Sequence, residues 1–479
     1  HPGCHLLPDR ISARISGMGA MDINFQQYFL DHLTDLQNLI QIPSVYDGDT
    51  VSDNAPCGKS IADALDYMAT LAHRDGFEVL TYDGHAIAIR LTPQTRTHQN
   101  HAILQTAPED ERIDIVSHLD VVEPGLGWSV PPFCGEIKDG RLYGRGSQDM
   151  KAPAFLTYLA LKLIQRENLP LKRELRIVLG TDEERTMNDM FYYVDKAGMP
   201  AFAFTPDGFF PMAIGEKGSL MWRLSGKYEG IIEKMDCGVQ CNVVAPIANA
   251  LLKDGQYTAK LNDLVSEKGI PCTVSEKHGK TYLEVTGKAA HASMPQEGYS
   301  ATTALLFLLK ECGDGLADNL YQCFADFYGQ AIGVKTPTGA ADYTMNLGIF
   351  RIENGSCYGE VDARYPFGMT SKECTAKLAS KCSLSLSLDY DSPPTMNDPD
   401  DPYVSTLLSV YREKTGDYTD PVISGGVSYS KVFGHCVAFG PAGQEEPLLA
   451  HQADESVSLT YAGRVLEIYY EAMKRIAQI

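Results

Sequence analysis

The chain has 479 residues, of which 44% are apolar, so it is long enough for two domains and a substantial core. With 62 acidic and 41 basic residues, its formal charge of −21 argues against nucleic acid or an anionic membrane as the main partner. The twelve scattered cysteines lack the spacing of a zinc ribbon or a disulfide scaffold, which predicts reduced thiols in a cytoplasm. Because no apolar run reaches the ~18 residues of a membrane span, we expect a soluble protein that is not exported.

Residues 1–20, HPGCHLLPDRISARISGMGA, show no clear hydrophobic period, whereas an amphipathic helix is predicted from Met21 onward. We therefore expect Met21 to be the natural start and residues 1–20 to be a leader or an added segment without function. The folded domains are predicted to lie between Met21 and Ile479.

From Phe25 to about Leu220, helical patterns alternate with short apolar strands. This alternation predicts an α/β sandwich with a mostly parallel sheet. Ligands of such sheets collect at the carboxyl ends of the strands. Three acidic stretches, SHLDVV, LGTDEE and FTPDG, come where a predicted strand ends, so their side chains are expected to converge on one rim.

Residues 219–393 differ in character, because alternating strand patterns such as SLMWRLSGKYE surround helical ones such as SATTALLFLLKECG. This range predicts an inserted α+β domain. The stretch SPPTMNDPDDP then suits a linker, since it is rich in proline and aspartate. An α/β pattern returns in residues 394–479, so the first domain is predicted to be discontinuous, with parts at 21–218 and 394–479.

The residues that could carry chemistry are imidazoles and carboxylates, most of them near predicted strand ends: His118, Asp120, Asp149, Glu183, Glu184, Asp207 and His451. Each is weak evidence by itself, because a lone histidine is usually structural and an aspartate after a strand usually caps a turn or helix. Together they would form a carboxylate cluster, which is untenable when buried unless cations neutralise it. Two divalent ions would remove this repulsion.

The order and the residues of several motifs resemble those of the M20 family of zinc-dependent aminopeptidases and deacylases. Within this family they are most similar to the bacterial dipeptidases of the PepV type. These motifs follow Met21 in the family's order and are HLDVV, GWSVPPF, LYGRGSQDMK, GTDEE, HASMPQEGYSA and RYPFG. The resemblance implies a catalytic α/β domain and makes the inserted domain a lid. It also implies hydrolysis of an amide bond at a pair of metal ions.

The resemblance further implies which residues bind the two ions. His118 and Asp207 would bind one ion, and Glu184 and His451 would bind the other. Asp149 would bridge the two ions. Carboxylate and imidazole ligands accept zinc, manganese or cobalt, with zinc the expected ion.

Within the acidic turn, Glu183 would act as the general base, taking a proton from water and passing it to the leaving amine. The alternative for Glu183 is a solvated acid at a strand end, and Asp182 is expected to serve the turn. Asp120 would orient an imidazole and raise its basicity, or else merely cap a loop.

The resemblance also implies which lid residues would contact the substrate. His291 would stabilise the oxyanion, and Asn242 and Arg364 would help to hold the substrate. Arg364 suits bidentate pairing with a free carboxylate, although a salt bridge between strands is the alternative. The backbone amides of Gly425 and Gly426 could face the same carboxylate.

Three positions depart from the family pattern or from expectation. Ala152 stands where a glycine is common, and Val427 stands where the dipeptidases have a third glycine. Both bear on loop geometry and hence on substrate preference. Arg185, directly after Glu184, is bulky for a position beside a metal site.

These observations predict a cytoplasmic, monomeric metallo-dipeptidase that removes the N-terminal residue of unblocked dipeptides. The large insert favours a monomer, because it supplies the extra lid surface within one chain. Two alternatives stay open. One is a deacylase such as succinyl-diaminopimelate desuccinylase or acetylornithine deacetylase, and the other is a metal-binding pseudoenzyme.

Overall fold

The computed structural model describes residues 22–93, 111–169, 171–334 and 343–479, so the predicted leader, residues 1–20, lies outside the described part. In chain order, the helices are α1 Phe25–Asp31, α2 Leu33–Ile40, α3 Lys59–Arg74, α4 Lys151–Glu167, α5 Asn188–Ala197, α6 Thr258–Lys268, α7 Ala301–Glu311, α8 Gly315–Phe324, α9 Ser371–Ala379, α10 Pro402–Thr415 and α11 Leu459–Ile476. The strands are β1 Glu78–Tyr82, β2 Ala86–Leu91, β3 Arg112–His118, β4 Ile137–Lys138, β5 Arg141–Tyr143, β6 Glu174–Gly180, β7 Phe202–Thr205, β8 Gly208–Phe209, β9 Ala213–Glu216, β10 Gly218–Lys227, β11 Ile232–Cys237, β12 Ile247–Leu252, β13 Cys272–Lys277, β14 Lys280–Thr286, β15 Thr344–Glu353, β16 Ser356–Tyr365, β17 Ser385–Ser392, β18 Thr395–Met396, β19 Val422–Ser424, β20 Cys436–Ala438, β21 Pro441–Ala442 and β22 Ser456–Ser458. Among the helices in these ranges, none is both long and apolar enough to cross a membrane.

The first sheet contains nine strands in the order β1-β2-β6-β3-β7-β20-β9-β18, with β19 beside β9. Its centre, from β6 to β20, is parallel. The pairs β1–β2, β2–β6, β20–β9 and β9–β18 are antiparallel, and β19 pairs parallel with β9, so the sheet is mixed instead of mostly parallel. The predicted α/β fold is confirmed, and its parallel centre places several strand ends at one edge.

Helices cover both faces of this sheet. On β2, Ile87 and Ile89 face the core formed with α1 to α4, α10 and α11. Ala86 and Ala88 face the opposite core, formed mainly with α5. This division follows from the strand geometry, in which successive side chains point to opposite faces. Apolar burial on both faces holds the sheet rigid under the strand ends.

The second sheet has eight strands in the order β13-β14-β12-β11-β15-β16-β10-β17, and all of its neighbouring strands are antiparallel. It packs on helices α6 to α9 through its own core, in which Trp222, Leu305 and Phe350 are fully buried. All of its strands lie between Gly218 and Ser392. The lid limits of 219–393 stay a prediction, and we use the term lid for this range.

Two chain crossings connect the lid to the first domain, one near Lys217 and one near Pro393. The ammonium group of Lys431 donates to both, at 2.6 Å to the Lys217 carbonyl oxygen and 2.7 Å to the Pro393 carbonyl oxygen. The backbone amide of Lys217 also donates to the Ser424 carbonyl oxygen at 2.8 Å. The segment 424–431 is thus hydrogen-bonded to both crossings, which positions it between the two domains.

Candidate active site

Three parallel strands end at the same rim and place acidic and imidazole side chains there. His118 is the last residue of β3, and Glu183 and Glu184 follow the end of β6. Asp207 comes two residues after β7. Because β3 lies between β6 and β7, these side chains converge on its carboxyl end.

The first group of contacts surrounds the fully buried imidazole of His118. Its Nε2 atom lies 3.2 Å from Asp149 Oδ1, 3.6 Å from Glu183 Oε2 and 3.6 Å from Asp207 Oδ2. Glu183 and Asp207 are therefore equally near to this nitrogen. Each is close enough either to ligate an ion held here or to accept a proton from a water beside it.

The second group surrounds His451, whose Nε2 atom lies 3.0 Å from Asp149 Oδ2 and 3.0 Å from Glu184 Oε1. Asp149 thus directs one carboxylate oxygen to each of the two imidazoles. A carboxylate placed in this way can bridge two cations. The structure brings together all five residues that the resemblance assigned to metal binding.

The donor set fits divalent cations. His118 Nε2 and Asp149 Oδ1 are buried and lack a hydrogen-bond partner among the described residues. His118 Nδ1 lies 2.9 Å from the Asp120 carbonyl oxygen, so it is the donor and leaves Nε2 free to bind a metal. Ligand atoms within 4.8 Å of one another occur in two sets, His118, Glu183, Asp207 and His118, Asp149, Glu184. Oxygen and imidazole donors of this kind bind zinc, manganese or cobalt.

The electrostatics show why a cation is needed. Burial and the neighbouring carboxylates raise the pKa of Glu183 well above its ordinary value, despite the opposing effect of His118. Burial and the charge of Asp149 also raise the pKa values of Glu184 and Asp207. Hydrogen bonds to Asp149 and Glu184 raise the pKa of His451 to about 10. Without metal, protons must therefore supply the positive charge that the cluster requires.

Asp120 holds the acidic turn in place. Its carboxylate accepts hydrogen bonds from the backbone amides of Glu183 at 3.3 Å and Glu184 at 3.0 Å. Its carbonyl oxygen accepts from His118, and its Oδ1 atom lies 3.4 Å from the same imidazole nitrogen. Asp120 therefore joins β3 to the turn after β6.

Glu455 performs the same task for the loop that carries Asp149, and the sequence analysis missed it. This buried carboxylate accepts from the backbone amides of Gly146 at 3.1 Å, Gln148 at 2.8 Å and Asp149 at 3.0 Å. It also pairs with Arg145 at 2.7 Å. The only sequence signal was its position four residues after His451, in the stretch HQADES.

Arg185 does not enter the site. Its guanidinium lies 3.4 Å above the centre of the Tyr46 ring, and its Nη1 atom lies 3.3 Å from Asp182 Oδ1. The cation–π contact with Tyr46 and the ion pair with Asp182 thus direct this bulky side chain away from the candidate metal ligands. Asp182 serves the turn, since its carboxylate also accepts a hydrogen bond from Thr186.

The lid residues have partners of their own. The Arg364 guanidinium donates from Nε and Nη2 to the two oxygens of Asp362, at 2.8 and 2.9 Å. Its Nη1 atom donates to the Gly425 carbonyl oxygen at 3.0 Å, which connects the lid to the segment 424–431. Because arginine has five N–H donors, these bonds leave one N–H on each terminal nitrogen for a further acceptor.

His291 and Asn242 lie side by side on the lid. The His291 Nδ1 atom is 2.7 Å from Ser293 Oγ, and the Asn242 carbonyl oxygen accepts from the Ala292 amide at 2.9 Å. Desolvation and the Arg364 cation lower the pKa of His291, which favours its neutral imidazole. This lid loop approaches Gly425, where an added Cβ would lie 2.9 Å from Ser293 Cβ.

A cavity of about 230 Å³ opens over the carboxylates, and we call it the carboxylate cavity. Its lining includes Asp149, Glu183, Glu184, Asp207 and His451, together with Ser424, Gly426, Val427 and Ser428. The amide of Gly426 already donates to Ser424 Oγ at 3.0 Å, so that amide reaches a ligand only by giving up this bond. Asn242, His291 and Arg364 lie outside the lining of this cavity.

Comparison with known proteins identifies the family. The model of Peptidase family M20/M25/M40 matches residues 115–475. The chain is 29% identical to "Putative dipeptidase YtjP" of Bacillus subtilis (strain 168) over 467 residues, which cover 94% of this chain and 97% of that protein. A Staphylococcus aureus (strain bovine RF122 / ET3-1) protein with the same kind of designation is 30% identical over 483 residues, with 94% and 97% covered.

Among solved structures, human carnosine dipeptidase 1 is similar in fold, with a TM-score of 0.55 and 13% sequence identity, covering 95% of this chain and 98% of that one. The family match spans most of the chain and contains every metal-ligand candidate. The resemblance found in the motifs is therefore confirmed. The chain belongs to peptidase family M20/M25/M40 and is a metallopeptidase.

Proposed function

We propose that the protein is a dinuclear metal-dependent dipeptidase that removes the N-terminal residue of unblocked dipeptides. The observation that carries this proposal is the position of Asp149, whose two carboxylate oxygens lie 3.2 and 3.0 Å from the two imidazoles. One bridging carboxylate between two groups of donors would suit a pair of divalent ions. The dipeptidase designations of the relatives support the substrate class.

Residues around His118 would hold one ion, and residues around His451 would hold the other. His118 and Asp207 would bind the first, Glu184 and His451 the second, and Asp149 both. Zinc is the proposed ion, and manganese or cobalt suits the same ligands. When bound, the ions polarise the scissile carbonyl and lower the pKa of the attacking water.

Glu183 is proposed to move the proton. Its carboxylate lies in the cavity lining beside Asp149 and Asp207, and burial raises its pKa well above its ordinary value. With cations in place of the protons that the metal-free cluster requires, the ionised Glu183 carboxylate could accept a proton from water and then give it to the leaving amine. The Asp120 carboxylate accepts a hydrogen bond from the Glu183 backbone amide at 3.3 Å, which holds Glu183 beside the proposed metal ligands.

The lid is proposed to complete the substrate site. His291 would donate a hydrogen bond to the oxyanion, and Asn242 would help to hold the substrate. Arg364 would bind the free carboxylate of the dipeptide with its two remaining terminal N–H groups, near Gly425 and Gly426. Because these lid residues lie outside the carboxylate cavity lining, the proposal requires the cleft to close on the substrate.

We further propose that the enzyme acts as a monomer in the cytoplasm. The eleven cysteines within the described residues are all free thiols, as expected in a reducing compartment. The eight-stranded lid sheet supports the monomer, because the extra lid surface comes from the same chain.

The test is a parallel assay of the purified protein with added Zn²⁺ or Mn²⁺. The substrates are a panel of unblocked dipeptides and the matching N-acetyl and N-succinyl amino acids. We expect hydrolysis of dipeptides with release of both amino acids. Cleavage of the acylated compounds alone would establish the deacylase alternative, and metal binding without any hydrolysis would establish the pseudoenzyme alternative.

A further inference from the structure

A second cavity, of about 200 Å³, adjoins the carboxylate cavity, and we call it the apolar pocket. Its wall is formed mainly by aliphatic and aromatic side chains, including Ala152, Leu156, Phe209, Leu448, Val457 and Val465. The mechanism described above does not use this pocket.

Three polar side chains at this pocket, those of Gln148, Glu446 and Tyr461, have hydrogen-bond partners of their own, and the others are Ser147 and the proposed metal ligands Asp149 and Asp207. Glu446 pairs with the guanidinium of Arg141, at 3.3 and 2.8 Å. Gln148 donates to the carbonyl oxygens of Pro447 at 2.8 Å and Ser456 at 2.9 Å. Tyr461 donates to a backbone carbonyl oxygen at 2.6 Å. A ligand in this pocket therefore meets an apolar surface, with few polar groups to replace water around a charged side chain.

The two cavities share four residues, Asp149, Asp207, Gly208 and Phe209. The apolar pocket therefore lies next to the carboxylates at which the scissile bond is proposed to lie. Residues of the segment 424–428, proposed to lie near the substrate carboxylate, line the carboxylate cavity but not the apolar pocket. The apolar pocket therefore belongs to the opposite end of the substrate, the side of the N-terminal residue.

We propose that the apolar pocket binds the side chain of the N-terminal residue, so that the enzyme prefers dipeptides beginning with a large apolar residue such as leucine, methionine or phenylalanine. This inference rests on the proposed dipeptidase function. An apolar cavity of about 150 Å³ can hold benzene, so a pocket of about 200 Å³ is large enough for these side chains.

Two exposed side chains give a further reason for an apolar ligand. Leu448 is 56% exposed and Phe209 is 44% exposed, and both contribute to the pocket wall. Large apolar side chains that remain in contact with water at a cavity favour a ligand that covers them. A leucine or phenylalanine side chain would do so, whereas an aspartate or lysine side chain would lose its hydration.

The experiment compares kcat/KM of the metal-loaded enzyme for Leu-Gly, Phe-Gly, Ala-Gly, Asp-Gly, Gly-Leu and Gly-Gly. We expect Leu-Gly and Phe-Gly to exceed Ala-Gly by at least about tenfold, because a hydrophobic pocket discriminates about 10- to 200-fold per methylene group. Asp-Gly should be slower than Ala-Gly. The ratio of kcat/KM for Gly-Leu to that for Gly-Gly should be much smaller than the ratio for Leu-Gly to Gly-Gly.

The Leu448→Asp variant tests the pocket directly, because this exposed side chain can be changed with little effect on the core. It should lower kcat/KM for Leu-Gly by about tenfold more than for Ala-Gly. Val239→Asp is the matched control, since Val239 is also 56% exposed but lies on the lid away from both cavities, and it should change neither value.

The outcomes separate this inference from the proposed function. Cleavage of Ala-Gly and Asp-Gly as fast as Leu-Gly, or an unchanged Leu-Gly to Ala-Gly ratio in Leu448→Asp, would overturn the pocket assignment and leave the dipeptidase intact. Failure to cleave any dipeptide would overturn both.

Discussion

The metal-ligand candidates and the lid residues differ in how closely their positions match those that the proposed reaction requires. The candidates around His118 and His451 are within 3.0–3.6 Å of one another, and buried carboxylates on Asp120 and Glu455 hold their loops. Arg364 is paired with Asp362, and the lid residues lie outside the carboxylate cavity. The proposed metal ligands are thus preorganised within one domain, whereas the proposed substrate contacts of the lid depend on how the two domains meet.

Asp149→Ala should have the largest effect, because it removes the one carboxylate that faces both imidazoles. We expect loss of both ions and of all measurable hydrolysis. Metal analysis of the purified variant is the measurement, with circular dichroism as the control for folding. Retention of two ions at wild-type affinity would show that Asp149 does not bridge them.

Glu183→Gln should keep both ions but lower kcat by about 10²- to 10⁴-fold, because it removes the proposed general base. Glu184→Gln, the neighbouring variant, should instead lose metal, because Glu184 is a proposed ligand of the ion at His451. Metal content and kcat are measured for both. If the two phenotypes were exchanged, Glu183 would be a metal ligand and Glu184 the general base. The distances would allow Glu183 to be a ligand, because it lies 3.6 Å from His118 Nε2, as does the proposed ligand Asp207.

His291→Ala should lower kcat by about 10²- to 10³-fold with metal content unchanged, the effect of losing one donor to an oxyanion. His278→Asn is a suitable control, because His278 lies in an exposed lid turn with a φ of 53°, which asparagine tolerates. It should behave as wild type. A normal kcat in His291→Ala would show that His291 takes no part in the chemical step.

Arg364→Ala should weaken kcat/KM for dipeptides by about 10- to 100-fold, the value of a charge-assisted hydrogen bond, and much less for dipeptide amides, which lack the charged carboxylate. Arg223→Ala is the matched control, since Arg223 is a lid arginine in an ion pair with Asp389 at 2.5 Å. Equal losses for dipeptides and amides would mean that Arg364 acts only through Asp362 and Gly425.

The smallest effect concerns the pH dependence of stability in the metal-free protein. The pKa of His451 is raised from 6.5 to about 10, so its contribution to stability is present below about pH 6.5 and is lost as the pH rises through 10. The raised pKa of Glu183 acts in the same direction. Thermal unfolding with a chelator should show a declining Tm over this range, and saturating Zn²⁺ should abolish the decline. The same decline in both states would contradict a metal site at His451.

The contrast between the two regions also explains what could be predicted. The ligand candidates were found because each follows a strand or stands in a recognisable motif, and parallel strands bring their ends together. Glu455 was missed because it acts on Gly146, Gln148 and Asp149, more than 300 residues away in sequence. The bulky Arg185 could not be explained from the sequence, because its contacts with Tyr46 and Asp182 depend on the folded structure.

The sequence by itself determined the α/β and inserted α+β pattern, the family and a set of candidate metal ligands. These follow from local periodicity and from motifs whose chemistry requires particular side chains. Only the tertiary structure decided that the sheet has antiparallel edges, that Lys431 binds both chain crossings, and that an apolar pocket opens beside Asp149. Each of these depends on contacts between distant segments, which hydrophobic period and motif spacing do not encode.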